Sequence, residues 1–195
     1  MNHEHTHERH HEDESTRKLQ PRIWIGSLAD YNAGRLHGDW CDAAVDPSDL
    51  RAAVDRILAG SDEPDAEEWG IFDYDDFGDL HVGEYDTLEQ VSAVACGIVA
   101  HGPAFATWAE MHDGNPDMLA QFDDCFIGTY DSPTDWARDV LDGSGIEEAL
   151  DRAVPADLRA YVQFDYDGLA RDLQLGGDVH IETAPDGKVW LFRVI

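Results

Sequence analysis

Carboxylates are the residues of this chain whose placement carries chemical meaning. No Lys or Arg occurs between Arg56 and Arg138, and the interval holds nineteen Asp and Glu, the first at Asp62 and the last at Asp135. Paired carboxylates can serve acid–base catalysis, but in a chain with 42 acidic and 13 basic residues such pairs arise from composition alone. The interval instead supplies an uncompensated negative field. A folded surface of that kind resembles a polyanion, and the partner it suits is a protein that normally binds nucleic acid. With a formal charge of −29 the chain is not expected to bind nucleic acid directly.

The candidate acidic surface comprises Asp62, Glu63, Asp65, Glu67, Glu68, Asp75, Asp76, Asp79, Glu84, Asp86, Glu89, Glu110, Asp113, Asp117, Asp123 and Asp124. A second group, Asp135, Asp139, Asp142, Glu147 and Glu148, follows it. In the helix expected after Ser132, Asp135, Asp139 and Asp142 stand at i, i+4 and i+7 and share a face, while Trp136, Val140 and Leu141 form the other. Carboxylates in that row repeat about every 6 Å along the axis, at ~1.5 Å per residue. Such like-charge neighbours cost an isolated helix roughly a few tenths of a kcal/mol per pair. On the scale of duplex DNA, with one charge per ~1.7 Å of axis, this net charge corresponds to ~50 Å of duplex, and that of a dimer to ~100 Å.

Other chemistries leave weaker marks. Asp73–Glu84 places acids at positions 1, 3 and 7, Gly78 at 6 and Glu84 at 12 of a calcium loop, but Phe77 stands where position 5 needs an oxygen ligand. The segment before it alternates as a strand does, whereas a calcium-binding helix–loop–helix needs a helix there. Calcium binding is the alternative reading. His3, His5, His7, His10 and His11, interleaved with acids, are a possible transition-metal tract in a tail with too few apolar residues to fold. His37, His81, His101, His112 and His180 are scattered, and no nucleophile elbow, phosphate-binding loop or zinc-protease helix motif is present. No enzyme activity, resident metal or cofactor is expected. Cys41, Cys96 and Cys125 are odd in number and unpaired in motif, which suits reduced thiols in the cytoplasm. The run from Val91 to Ala100 is too short to span a bilayer, so a soluble protein without a membrane partner is expected. Adaptation to concentrated salt accounts for the acidity equally well, and the two lysines, Lys18 and Lys188, suit it.

The elements that position these acids read as an α+β chain. Ile23–Ile25 forms a strand, Asp30–Gly34 supplies turn chemistry, and a second extended run reaches Trp40 and Cys41. Asp46-Pro47 opens a helix with Leu50, Val54, Ile57 and Leu58 at helical spacing, closed by Gly60. Glu67–Tyr74 is a third strand. Thr87 with Gln90 three residues on opens a helix whose stripe is Leu88, Val91, Ala95, Ile98 and Val99, stopped at Gly102-Pro103. Short helices are expected over 104–112 and 116–122, a strand over 125–130, helices from Pro133 and over 167–173, and a hairpin of 179–183 and 189–194 turned at Pro185-Asp186-Gly187. The six Trp are expected mostly in the core. The expected organisation is a disordered tail (1–20), an N-terminal α+β domain (21–80), a helical middle domain (81–123) and a C-terminal α+β domain (124–195).

Pro21-Arg22-Ile23-Trp24-Ile25-Gly26-Ser27-Leu28-Ala29-Asp30-Tyr31-Asn32-Ala33-Gly34, continuing to Trp40, resembles the ArdA-type antirestriction proteins. The acidic strand Glu67–Tyr74 and the stretch Tyr161–Leu173 extend the resemblance, which covers residues 21–195. It implies an elongated three-domain homodimer, paired through its last domain, that imitates bent B-form DNA. The implied target is the methyltransferase and specificity core of type I restriction-modification enzymes, occupied so that incoming mobile DNA escapes cleavage. The family's antirestriction motif corresponds to Asp135–Asp142 and Gly143–Leu150, with Asp where relatives often carry Glu and with Arg138 among the acids.

Overall fold

The computed structural model describes residues 19–195; the His-rich tract and most of the expected tail lie outside the described residues. Gln20, placed in that tail by composition, donates its backbone N–H to Asp76 at 2.9 Å. The fold is α+β, and the chain divides into two compact units, the first ending at Leu119 and the second spanning Ala120–Ile195.

The first unit begins with β1 (Arg22–Ser27), antiparallel to β2 (Gly38–Asp42) on one side and β3 (Trp69–Asp75) on the other, in the order β2-β1-β3. Ile23 and Ile25 are fully buried on one face, as the two-residue period of a strand requires. On the opposite face Trp24 lies across two glycines. A Cβ on Gly26 would come within 2.4 Å of its ring and one on Gly38 within 2.6 Å, so the ring replaces side chains at the Gly26–Gly38 pair of the ladder. Phe72 meets the Trp24 ring edge-on at 5.7 Å.

The segment expected as a turn at Asp30–Gly34 folds instead into α1 (Leu28–Asn32). Ser27 caps it by accepting a hydrogen bond from the Asp30 N–H at 3.3 Å, a signal that the strand-like residues before it obscure. α2 (Pro47–Ala59) is capped by Asp46, which accepts from the Ser48 N–H at 2.8 Å, and its buried Leu50, Val54 and Ile57 pack against β1 and β2. α3 (Leu88–His101) opens on Thr87, which accepts from the Gln90 N–H at 3.2 Å. Leu88, Val91, Ala95 and Ile98 are buried as the spacing predicts, but Val99 turns outward and Val94 takes the interior position. Gly102, with φ +79°, ends α3, and Pro103 begins α4 (Pro103–Met111), followed by α5 (Pro116–Leu119). The 21–80 and 81–119 segments meet within this unit: Ile71 N–H donates to Glu84 O at 2.9 Å, and the buried Ser92 hydroxyl donates to Val45 O.

The second unit starts with a single turn, α6 (Phe122–Cys125), so the helix expected over 116–122 is two pieces interrupted at residues 120–121. β4 (Phe126–Tyr130), β5 (Val179–Thr183) and β6 (Val189–Arg193) form an antiparallel sheet ordered β4-β6-β5, with the closing strand in the centre. α7 (Pro133–Asp142) and α9 (Tyr166–Leu175) pack together, and the core joins Trp136 to Val179, Val189 and Leu191. Between them lie α8 (Ile146–Ala153), which the sequence reading did not anticipate, and a 3-10 turn at Arg159–Tyr161. Of the tryptophans, Trp108, Trp136 and Trp190 are buried, whereas Trp40 is exposed. No described helix is long and apolar enough to cross a membrane.

Candidate functional site

The first unit is the more charged: residues 19–119 hold 21 acidic and four basic residues, against 16 and six in residues 120–195. Its acids sit where the fold leaves chain on the surface. Asp62, Glu63, Asp65, Glu67 and Glu68 occupy the connection from α2 to β3; Asp75 ends β3; Asp76, Asp79, Glu84 and Asp86 lie in the connection to α3. Glu89 is in the first turn of α3, Glu110 in the last turn of α4, Asp113 in the turn after it and Asp117 in α5. Asp123 and Asp124 belong to α6 of the second unit, Asp135, Asp139 and Asp142 to α7, and Glu147 and Glu148 to the first turn of α8.

Sixteen of these 21 side chains belong to exposed residues; Glu63, Asp75, Asp76, Asp86 and Asp135 are half-buried. The half-buried ones hold the structure together. Asp75 pairs with Arg22 at 2.8 Å, Glu63 pairs with Arg35, and Asp76 receives the Gln20 N–H. Asp86 accepts the Gly83 N–H at 2.8 Å. Asp135 accepts the Ser132 hydroxyl at 2.6 Å and pairs with Arg138 at 2.9 Å, so the first acid of the expected row on α7 is engaged locally while Asp139 and Asp142 remain exposed. Arg138 also lies over the Tyr166 ring, 5.1 Å from its centre. Val140, expected on the buried face of α7, is instead exposed.

One acid outside the expected surface has a different task. Asp30 is buried, with its carboxylate accepting from the Ser61 hydroxyl and from Arg35 at 3.0 Å. The Ser61 hydrogen bond, aided by Ser27 and Arg35 against the cost of burial, holds its pKa at about 2. Arg35 bridges Asp30 to Glu63 and thereby fastens the acid-rich α2–β3 connection to α1. The motif Asp30-Tyr31-Asn32-Ala33-Gly34-Arg35 carries the signal for this, but its turn-like composition hid an ion pair between a buried carboxylate and a half-exposed arginine five residues apart.

Several acids converge on an open cleft of about 350 Å3 inside the first unit, lined by residues of the β3–α3 connection, α3, α4 and the turn after α4. Phe77, Val82, Val91 and Val94 give it an apolar floor, and Asp86, Glu110 and Asp113 stand around it with His81 and Gln90. Gln90 donates to Asp113 O at 3.1 Å and holds the turn in which Asp113 takes φ +51° and Gly114 φ +64°. Sequence spacing gives no hint that residues this far apart meet.

The calcium-loop reading meets a structural obstacle. Asp73 lies within β3, and Phe77, at the position that would need an oxygen, is 1% exposed and part of the core. Among the described residues no group of three His, Cys, Asp or Glu side chains is arranged to hold a metal ion. Burial raises the Cys41 and Cys125 thiol pKa values, and a hydrogen bond to Glu84 raises that of the Tyr85 phenol.

No curated relative matches the chain. The family model described as "Antirestriction protein (ArdA)" matches residues 23–185, spanning α1 to α9 and every strand but β6. The chain therefore belongs to the ArdA antirestriction protein family.

Proposed function

We propose that this protein inhibits type I restriction-modification enzymes by presenting carboxylates in place of DNA phosphates, and so occupies the groove of the methyltransferase and specificity core. The observation that carries this reading is the set of exposed acids between residues 62 and 124, in a segment that contains no Lys or Arg to neutralise them. Lys and Arg of a DNA channel bind phosphate through charge-assisted hydrogen bonds, and a carboxylate offers them the same acceptor chemistry. No catalytic residue is required. The ligand is the enzyme itself and not nucleic acid, and the setting is the cytoplasm of a cell receiving a mobile element.

In this proposal the three-part division at about residues 80 and 123 stands, and the last part joins two copies of the chain. The second unit leaves Val140, Ile146, Leu158, Tyr161, Leu175 and Ile195 exposed, and α8 buries no residue in its own unit. Apolar surface of that kind suits a protein interface. The decisive experiment is competition: purified protein is titrated into a methyltransferase core bound to labelled unmodified DNA. Displacement of DNA at a stoichiometry of binding sites supports the reading, and equal binding to free and DNA-saturated enzyme refutes it. A transfer assay of unmodified DNA into a restricting host reads the biological consequence.

A further inference from the structure

The cleft framed by the β3–α3 connection, α3 and α4 combines carboxylates that have no cationic partner with an apolar floor. Among the described residues, Asp86, Glu110 and Asp113 make no ion pair with Lys, Arg or His, although Asp86 is fixed by the Gly83 N–H at 2.8 Å. No Lys or Arg lines the cleft, whose one basic side chain is His81, and the chain holds no Lys or Arg between Arg56 and Arg138. A surface that only repels duplex-like partners and attracts cations through water needs no concavity; a concavity lined by Asp86, Glu110 and Asp113 together with Phe77, Val82, Val91 and Val94 describes a receptor for a group that is cationic at one end and apolar along its length. At about 350 Å3 the space lies near the lower end of small-ligand sites, roughly 300–1,000 Å3.

We propose that this cleft receives an arginine side chain from the DNA-binding groove of the inhibited enzyme, its methylene stem on the apolar floor and its guanidinium among Asp86, Glu110 and Asp113. The partner's identity rests on the DNA-mimic reading; the cation preference of the cleft does not. Arginine suits the site better than lysine because its guanidinium is planar, less strongly hydrated and able to pair with two carboxylate oxygens at once. The Gln90–Asp113 O hydrogen bond holds one wall in place before binding, so little ordering is required when the side chain enters. The inhibitor then has one anchoring contact within a field that otherwise acts by its summed charge.

The test has two arms. In the first, the chemical shifts of the uniformly 15N-labelled full chain are followed during titration with N-acetyl-arginine amide and with its uncharged analogue, N-acetyl-citrulline amide. Saturable shifts are expected at Val82, Gln90, Val91 and Asp113 with arginine, with affinity at least about fivefold weaker for citrulline and for the Glu110→Gln/Asp113→Asn double variant. In the second, displacement of DNA from the methyltransferase core is compared for that variant and for Asp62→Asn/Asp65→Asn, which removes the same charge away from the cleft. The cleft pair is expected to lose about tenfold in potency and the control pair no more than about threefold. Equal losses, or arginine shifts that do not saturate in the cleft, overturn the proposal and leave the DNA-mimic reading standing. Wild-type protein that fails to displace DNA refutes the DNA-mimic reading itself, and with it the named partner, whatever the arginine titration shows.

Discussion

Salt dependence is the sharpest quantitative consequence of carboxylates acting as phosphates. In the first unit, nine exposed acids of the candidate surface have no cationic partner within the described chain: Asp62, Asp65, Glu67, Glu68, Asp79, Glu84, Glu89, Glu110 and Asp113. Were each to engage one enzyme cation as a duplex phosphate does, log K would fall with log salt at a slope near −8, from −0.9 per contact, and affinity would drop by about 10⁵ between ~50 and ~200 mM salt. That is a ceiling. Duplex DNA owes much of its slope to counterions condensed on a dense row of charges, whereas carboxylates set on a folded body release mainly the anions bound by the enzyme. With half of the nine engaged and that reduction included, the loss over the same range is about 10²-fold, and the slope is shallower than that of DNA on the same enzyme. Fluorescence anisotropy of labelled inhibitor against methyltransferase core, at four or five salt concentrations with DNA in parallel, measures both slopes. A slope indistinguishable from zero would refute the electrostatic reading, because no arrangement of exposed charges binds a cationic groove without it.

Asp139→Asn removes one exposed charge of many, and its effect on DNA displacement is expected to be less than about fivefold, from the ~0.2–1 kcal/mol typical of an exposed pair; complete loss would locate the activity on α7 instead. Gly97→Ala would ordinarily stabilise a helix by roughly 0.5–1 kcal/mol, yet its Cβ would meet the buried Phe105 ring at 2.1 Å, so net destabilisation of about 1–2 kcal/mol is expected in urea unfolding, and a rise in stability would show that the ring moves aside. Asp30 has its pKa lowered from 3.8 to about 2, so the stability its ionised form confers is present above pH 4 and is lost as pH falls from about 4 through 2. The urea midpoints of wild type and Asp30→Asn are therefore expected to converge across that window, and a constant gap would show that the ionised form is not what the network stabilises.

Much of the fold was legible because its signals are local. Asp46-Pro47, Thr87 with Gln90, and Ser132-Pro133 each state a helix start in two to four residues, and all three helices begin there. The closing hairpin follows from a turn sequence between two β-rich runs. What escaped depended on partners distant in sequence. α1 is set by a cap at the end of a strand and by Arg35 and Ser61 closing on Asp30, none of which a hydrophobic period reveals. α8 touches α7 but contributes no buried residue, so its apolar stripe serves no core and a sequence read for core-forming helices passes over it. The acids were legible as a population because the absence of Lys and Arg is visible in one dimension. Their individual roles were not, since Asp75 and Glu63 differ from Asp79 and Glu84 only in having Arg22 and Arg35 folded against them.

The division of labour among the acids gives the fold a specific relation to the charge. An acid beside an arginine, or at a helix N-terminus, is stabilising locally and contributes little field outside; Asp30, Asp46, Asp75 and Asp135 are of this kind. Each arginine of the first unit is accounted for within it: Arg22 pairs with Asp75 and lies over Trp40, Arg35 pairs with Asp30 and Glu63, Arg51 lies over Trp69, and Arg56 stands in the last turn of α2, where a positive charge suits the helix dipole. Beyond Arg56 the same unit adds nine exposed carboxylates of the candidate surface that have no cationic partner among the described residues, on connections and helix ends that bear no core packing. A protein adapted only to concentrated salt needs a high count of acids but gains nothing from excluding Lys and Arg from one continuous stretch. A protein that presents itself to a cationic groove does gain, because every lysine or arginine placed there would meet a like charge across the interface. The exclusion, more than the count, is therefore the feature that selection on binding would leave behind, and introducing one arginine into this surface, as in Asp79→Arg, is expected to weaken binding more than removing the charge with Asp79→Asn.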